Sequence, residues 1–161
     1  VVSWVYNSNT AKQHRDIAFF GVKPDFKKYG QDYKNPTDKR IAKRIADGKR
    51  ARLYDWWEIN QVKNVSKDKT FHSCQIPLGL VEKLILASTL PNDLIFIHFG
   101  GSGNEIIMAK QLGRKYVSAE IDEIYYNMIL DRIRLDGDIP TKYKLPIRNK
   151  NHEKESNVAV T

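Results

Sequence analysis

Leu94-Ile95-Phe96-Ile97-His98-Phe99-Gly100-Gly101-Ser102-Gly103 is the stretch that decides how this chain folds. Its first part is a nearly continuous apolar run of strand length, which predicts a parallel strand buried on both faces. The glycines that follow let the backbone turn sharply and approach a ligand closely. A helix is expected next, from Asn104 to Leu112, with Ile106, Ile107 and Ala109 inward and Gly113 as its stop. The free N–H groups at such a helix start face the glycine loop.

Outward from this point the pattern repeats. Tyr116–Ile121 reads as a second strand, and Asp122 caps a helix running to about Leu135, before Asp136-Gly137. On the other side, Pro91-Asn92-Asp93 is a turn. Before it, Pro77 sits in the first turn of a helix whose apolar stripe runs through Leu80, Leu84 and Ala87 to about Leu90. Residues 71–137 therefore read as a βαβ unit with a helix in front. Residues 1–22 hold two β-favouring runs, Val1–Tyr6 and Ile17–Val22, expected as neighbouring strands joined by the polar segment Asn7–Asp16. Residues 23–70 are polar and basic. Within them Pro36-Thr37-Asp38 opens a helix expected over Lys39–Ala46, stopped by Gly48, with Ile41 and Ile45 on one face. Arg52–Ile59, carrying Tyr54, Trp56 and Trp57, reads as a strand. Residues 138–161 are expected to form a loosely held polar tail.

The 161 residues are one domain's worth, with 41% hydrophobic and 29% charged residues. The net charge of +8 is uneven: from Lys23 to Lys69 there are fourteen Lys and Arg against seven Asp and Glu. Such a surplus attracts polyanions, nucleic acid first, although a solvated helix face gives the same count. No apolar run approaches the ~20 residues that cross a bilayer. The opening Val1-Val2-Ser3-Trp4-Val5 has no basic flank or long apolar stretch of a signal peptide and starts as though in mid-strand, so a fragment is expected. Cys74 is the single cysteine, which excludes an intrachain disulfide and suits a reducing cytoplasm. It reads as a small packing residue rather than a nucleophile.

The glycine loop is not a phosphate-cradling loop, for no Gly-Lys-Ser/Thr follows, and its spacing is not G-x-G-x-x-G. Glu120 adds to it. This acid falls at the C-terminal end of the next strand, where a carboxylate accepts hydrogen bonds from ribose hydroxyls. A capping acid is the competing reading, and Asp122 is the better cap. Loop and acid together point to a nucleoside-type cofactor.

Lys69-Thr70-Phe71-His72-Ser73-Cys74-Gln75-Ile76-Pro77 is similar to the K-x-x-H-P-x-Q-K-P stretch of the DNA amino-methyltransferases. Ile97-His98-Phe99-Gly100-Gly101-Ser102-Gly103 resembles that family's D-P-F-x-G-S-G loop. Leu112-Gly113-Arg114-Lys115-Tyr116-Val117-Ser118-Ala119-Glu120, continuing through Tyr125 and Arg132-Ile133, resembles its continuation. The resemblance covers residues 69–134 and suits the permuted β-type order of motifs. It implies a partial, permuted, Rossmann-like α/β fold of S-adenosylmethionine-dependent methyltransferases, with residues 23–70 as a basic target-recognition insertion. It implies S-adenosyl-L-methionine as cofactor, held by Phe99, Gly101, Ser102 and Gly103, with Glu120 on the ribose and His72, Gln75 and Pro77 closing the methionine side.

The same resemblance places double-stranded DNA against Lys39, Arg40, Lys43, Arg44, Lys49, Arg50 and Arg52. Phe19 and Phe20 fall where the family packs an aromatic on the flipped base; a pair of core phenylalanines is the plain alternative. Ile97-His98 stands in place of the family's Asp-Pro, and Asn104-Glu105 in place of Thr-Thr. The catalytic Asp/Asn/Ser-Pro-Pro-aromatic tetrapeptide occurs nowhere in the chain. It is expected upstream of Val1 or on a partner, so a missing N-terminal half, a partner chain or a homodimer enters the reading. The activity implied is methyl transfer to an exocyclic amino group of a flipped base in DNA, adenine N6 before cytosine N4. The alternative is a non-catalytic subunit of a split or decayed enzyme.

Overall fold

Val2, Trp4 and Tyr6 alternate inward with the two-residue period of a strand, and each is almost fully buried. The structure, a computed structural model, describes residues 1–7, 13–21, 23–27, 29–64 and 66–145. In chain order its elements are β1 (Val2–Val5), β2 (His14–Ile17), β3 (Gly30–Gln31), α1 (Lys39–Ala46), β4 (Ala51–Arg52), β5 (Trp56–Glu58), α2 (Leu78–Ser88), β6 (Leu94–Ile97), α3 (Asn104–Gln111), β7 (Lys115–Ser118) and α4 (Glu123–Arg134). A 3-10 turn follows at Thr141–Tyr143.

β1 is the middle strand of a sheet ordered β2-β1-β5. It pairs antiparallel with β2, Val2 opposite Ile17, and parallel with β5, Trp4 opposite Trp57. Trp57 is 1% exposed and anchors a cluster with Val2, Trp4, Leu53 and Leu80. The second strand thus lies earlier than its apolar residues suggested, over His14–Ile17 rather than Ile17–Val22. Pairing with β1, helped by Ser3 Oγ donating to Asp16 at 3.0 Å, outweighs local apolar content on this solvent-facing edge. Val22 and residues 8–12 lie outside the described residues. The strand expected over Arg52–Ile59 is split into β4 and β5. At the break the Leu53 N–H donates to Phe26 O at 2.9 Å, and Trp57 Nε1 donates to Tyr54 O at 2.9 Å.

α2 joins the two halves. Leu80 and Ala87 enter the tryptophan cluster, while Val81 and Ile85 pack on Met108 and Ala109 of α3. A single apolar stripe was expected; both sides of this helix are covered. β6 and β7 form the expected parallel pair, Leu94 opposite Lys115 through Ile97 opposite Ser118. Only one face of this pair is packed. Ile95, Ile97 and Tyr116 meet α3 and α4, whereas Leu94, Phe96 and Val117 are more than half exposed. The expectation of burial on both faces is corrected accordingly: among the described residues no element covers the outer face.

The expected tail is anchored at its start. Tyr143 is buried, its hydroxyl donates to Asp131 at 2.8 Å, and the Phe71 N–H donates to its carbonyl at 2.9 Å. Residues 146–161 lie outside the described residues. α1 begins and ends where expected, with Asp38 accepting from the N–H groups of Arg40 and Ile41 at 2.9 and 3.1 Å. It buries no residue.

Candidate cofactor-binding site

The glycine loop spans the gap between β6 and α3, and the β6–β7 ladder continues into it through Gly100 N–H donating to Ala119 O at 2.8 Å. Gly101 has φ of +52°, a left-handed conformation that side chains disfavour, and an added Cβ would stand 3.2 Å from His72 Nε2. The loop therefore lies flat beneath the imidazole. The segment that carries His72 is held in place by polar bonds. Gln75 accepts from the Thr70 N–H at 2.8 Å and donates to Asp68 O at 2.6 Å. Lys69, 3% exposed, donates its ammonium protons to the carbonyls of His72 and Ser73. The Tyr125 ring meets His72 edge-on at 4.7 Å and stacks on Phe71 at 5.3 Å.

Glu120 closes the site from the end of β7. One carboxylate oxygen accepts from the Gly101 N–H at 2.7 Å, the other from the Asp122 N–H at 2.9 Å. These backbone bonds, that from Asp122 foremost, hold its pKa below the usual carboxylate range. A carboxylate has about four acceptor positions, so these backbone bonds do not saturate it and ribose hydroxyls can still donate to it. Asp122 is the helix cap of α4, accepting from Ile124 and Tyr125 at 2.8 and 3.1 Å, which leaves Glu120 free of that task.

His72, Phe99, Gly101, Ser102, Glu120 and Tyr125 line a cleft of about 420 Å³. Phe99, 86% exposed, stands at its mouth. His72 Nδ1 and Ser118 Oγ are buried beside the loop without a hydrogen-bond partner. An apolar ring at the mouth, an acid with free acceptor positions and uncommitted polar atoms suit a nucleoside with a short polar tail. The residues present fit S-adenosylmethionine.

Burial, and then the nearby Lys69 charge, push the His72 pKa below 6.5 against a smaller opposing pull from Glu120. The unfolded chain consequently takes up this proton first as pH falls. Stability from neutral His72 is complete above about pH 6.5 and declines as pH drops from there toward the lowered folded value. Thermal melts at pH 7.5 and 5.5 are expected to differ less in His72→Gln than in the unaltered protein. An unchanged difference overturns this assignment.

Of the residues singled out in the sequence, His72, Phe99, Gly101, Ser102 and Glu120 converge on the cleft. Gln75, Pro77 and Gly103 stand behind it. Gln75 braces the His72 segment, Pro77 is the N-cap of α2, and Gly103, with φ of +79°, turns the chain against Ile129. Cys74, expected to pack, is exposed at the cleft wall. Phe19 packs against Phe26 and the tryptophan cluster, while Phe20 is 87% exposed. Lys39, Arg40, Lys43 and Arg44 project from α1 into solvent. Arg50 pairs with Asp32 at 3.2 Å and Lys49 with Asp47 at 3.8 Å; exposed Arg52 lines a separate cavity with Lys23 and Tyr54. Lys69, Asn104, Glu105, Tyr125 and Arg132 join the site without having stood out in the sequence as site residues. Lys69, Tyr125 and Arg132 lie inside the stretches that carry the resemblance, which was the available signal.

Residues 3–131 match the DNA methylase family. The chain belongs to the N6/N4 DNA methylases. Relatives of this chain include Type II methyltransferase M.BglII of Bacillus subtilis, 27% identical over 131 residues, 76% of this chain and 36% of the relative. Type II methyltransferase M2.DpnII of Streptococcus pneumoniae is 33% identical over 98 residues, 61% of this chain and again 36% of the relative. The chain thus spans about a third of the length of these relatives. The crystal structure of M1.HpyAVI in complex with SAM superposes with a TM-score of 0.53 at 23% identity, over 82% of this chain and 60% of that one. The chain accordingly has the fold of S-adenosylmethionine-dependent methyltransferases. No helix among its described residues is long and apolar enough to cross a membrane.

Proposed function

We propose that this chain is the cofactor-binding and DNA-facing portion of a site-specific DNA methyltransferase acting on an exocyclic amino group, adenine N6 before cytosine N4. The observation that carries the reading is the meeting of His72, Gly101 and Glu120 on one cleft. Three segments separated in sequence supply the parts a nucleoside cofactor needs.

Bound there, S-adenosylmethionine supplies an electrophilic methyl group. Glu120 accepts from the ribose hydroxyls and keeps Gly101 in place. His72, packed on the loop and on Tyr125, closes the other wall and excludes water. Because the Asp/Asn/Ser-Pro-Pro-aromatic tetrapeptide does not occur in this sequence, we assign the residues that receive the target amino group elsewhere. The reading places them on the remainder of a longer protein or on a partner chain, which also covers the open face of β6 and β7. Titration calorimetry with S-adenosylhomocysteine tests the reading: binding at one site per chain supports it, and no binding overturns it. The alternative, a silent subunit, binds the same ligand but leaves DNA unmethylated when supplied with its partner.

The recognition role falls on α1 and the segment after it. Because α1 buries no residue, neutralising Lys39, Arg40, Lys43 and Arg44 together to Gln leaves the fold intact. DNA affinity is expected to drop, with the slope of log K against log salt flattening by about 0.9 for each phosphate contact removed. Fluorescence anisotropy across a salt series reads both. An unchanged slope shows that α1 faces away from the duplex.

A further inference from the structure

We propose that Glu105 receives the α-ammonium group of the cofactor's amino-acid tail, an inference that rests on the cofactor reading above. Glu105 is the second residue of α3 and lines the cleft together with His72, Cys74 and Ser102. Glu105 and Glu120 reach the cleft from different elements. Glu120 arrives from the end of β7, and both of its oxygens are bonded to backbone N–H groups of the loop and of Asp122. Glu105 arrives from α3, whose first residue, Asn104, donates to Ile76 O at 2.6 Å. That bond fixes the first turn of α3 against the His72–Pro77 segment.

Among the described residues the Glu105 carboxylate meets its own backbone N–H and the field of buried Arg132, and forms no ion pair. Its surroundings are dry enough that burial pushes its pKa up. A desolvated carboxylate without a close counter-ion gains more than a solvated one from an arriving ammonium. Beside it, α3 begins at Gly103 with no side-chain cap, and Glu105 is the acid of its first turn, with its carboxylate on its own N–H. A desolvated acid at this helix start presents the charge complementary to the ammonium of an α-amino acid. Ile97 and His98, at the end of β6, offer no such acid: Ile97 is buried in the α3–α4 cluster.

The test compares S-adenosylhomocysteine with its deamino analogue, which lacks only the α-amino group, by calorimetry on the protein and on Glu105→Gln. The unaltered protein is expected to prefer S-adenosylhomocysteine by about tenfold or more, the range of a hydrogen bond to a charged group. In Glu105→Gln that preference disappears, through weaker S-adenosylhomocysteine binding at undiminished affinity for the analogue. The analogue doubles as a check that the cleft is intact. Equal loss of both ligands, or a preserved preference, overturns the role of Glu105 while leaving the cofactor reading in place. If the unaltered protein binds neither compound, the cofactor reading itself is overturned and this assignment with it.

Discussion

Glu120→Ala is expected to weaken S-adenosylhomocysteine binding by at least about 100-fold in calorimetry. The carboxylate has two tasks in one place. Its Gly101 and Asp122 bonds, 2.7 and 2.9 Å long, hold the loop and the strand end together. Its remaining acceptor capacity is what is available to ribose hydroxyls. Losing two charge-assisted hydrogen bonds removes about 3 kcal/mol or more, which is the stated factor. Releasing Gly101 adds to this, because the left-handed backbone beneath His72 loses its tether. Glu120→Gln separates the two tasks: an amide has one oxygen and cannot replace both acceptors. It is expected to fall between the alanine variant and the unaltered protein. Since backbone bonds keep Glu120 ionised below the usual carboxylate range, affinity in the unaltered protein is expected to survive acidification that would neutralise an ordinary glutamate. Affinity in Glu120→Ala within a few-fold of the original would remove Glu120 from the site.

The part of the chain from β6 to α4 was legible because its signals are local and agree with one another. An apolar run, a glycine loop, Gly113 as a helix stop and Asp122 as a cap each specify one element without reference to the rest. Asp38 and α1 were legible for the same reason. β2 was not, since its His14-Arg15-Asp16 has no strand-like pattern of its own and takes its structure from hydrogen bonds to β1. The split between β4 and β5 depends on Phe26 O, twenty-seven residues before Leu53, which no local window contains. Likewise the two-sided burial of α2 and the open face of β6 and β7 depend on which neighbours are present.

Half of the site was legible. His72, Gly101 and Glu120 are residue types with an obvious use, and the resemblance pointed to each. Lys69, Asn104 and Arg132 were not, because polar side chains are expected at the surface unless a partner is known. Each is almost fully buried; Lys69 is bonded to backbone of its own segment, Asn104 and Arg132 to backbone of another. They are the framework behind the cleft, and periodicity carries no trace of them.

That framework makes Arg132→Ala the substitution with the largest expected cost to stability. Arg132 is 1% exposed on α4 and donates to the carbonyl of Ser102, to Asn104 Oδ1 at 2.8 Å and to Gly137 O at 3.3 Å. Asn104 in turn donates to Ile76 O, so one guanidinium connects α4, the glycine loop, α3 and the segment that carries His72. Alanine leaves a cavity and three acceptors without donors. Each effect alone is costly, and together they are expected to lower unfolding free energy by roughly 3–5 kcal/mol in urea titrations followed by circular dichroism. Lysine keeps the charge but not the planar fork, and is expected to recover only part of the loss. Asn104→Ala breaks the same chain one step further along. The double variant is therefore expected to lose less than the two single losses added together, since both remove the Arg132–Asn104 bond. Strict additivity would mean that the two side chains act separately. A loss below about 1 kcal/mol for Arg132→Ala, the range of ordinary substitutions, would mean that water readily replaces the guanidinium and that the loop is held by Glu120 instead.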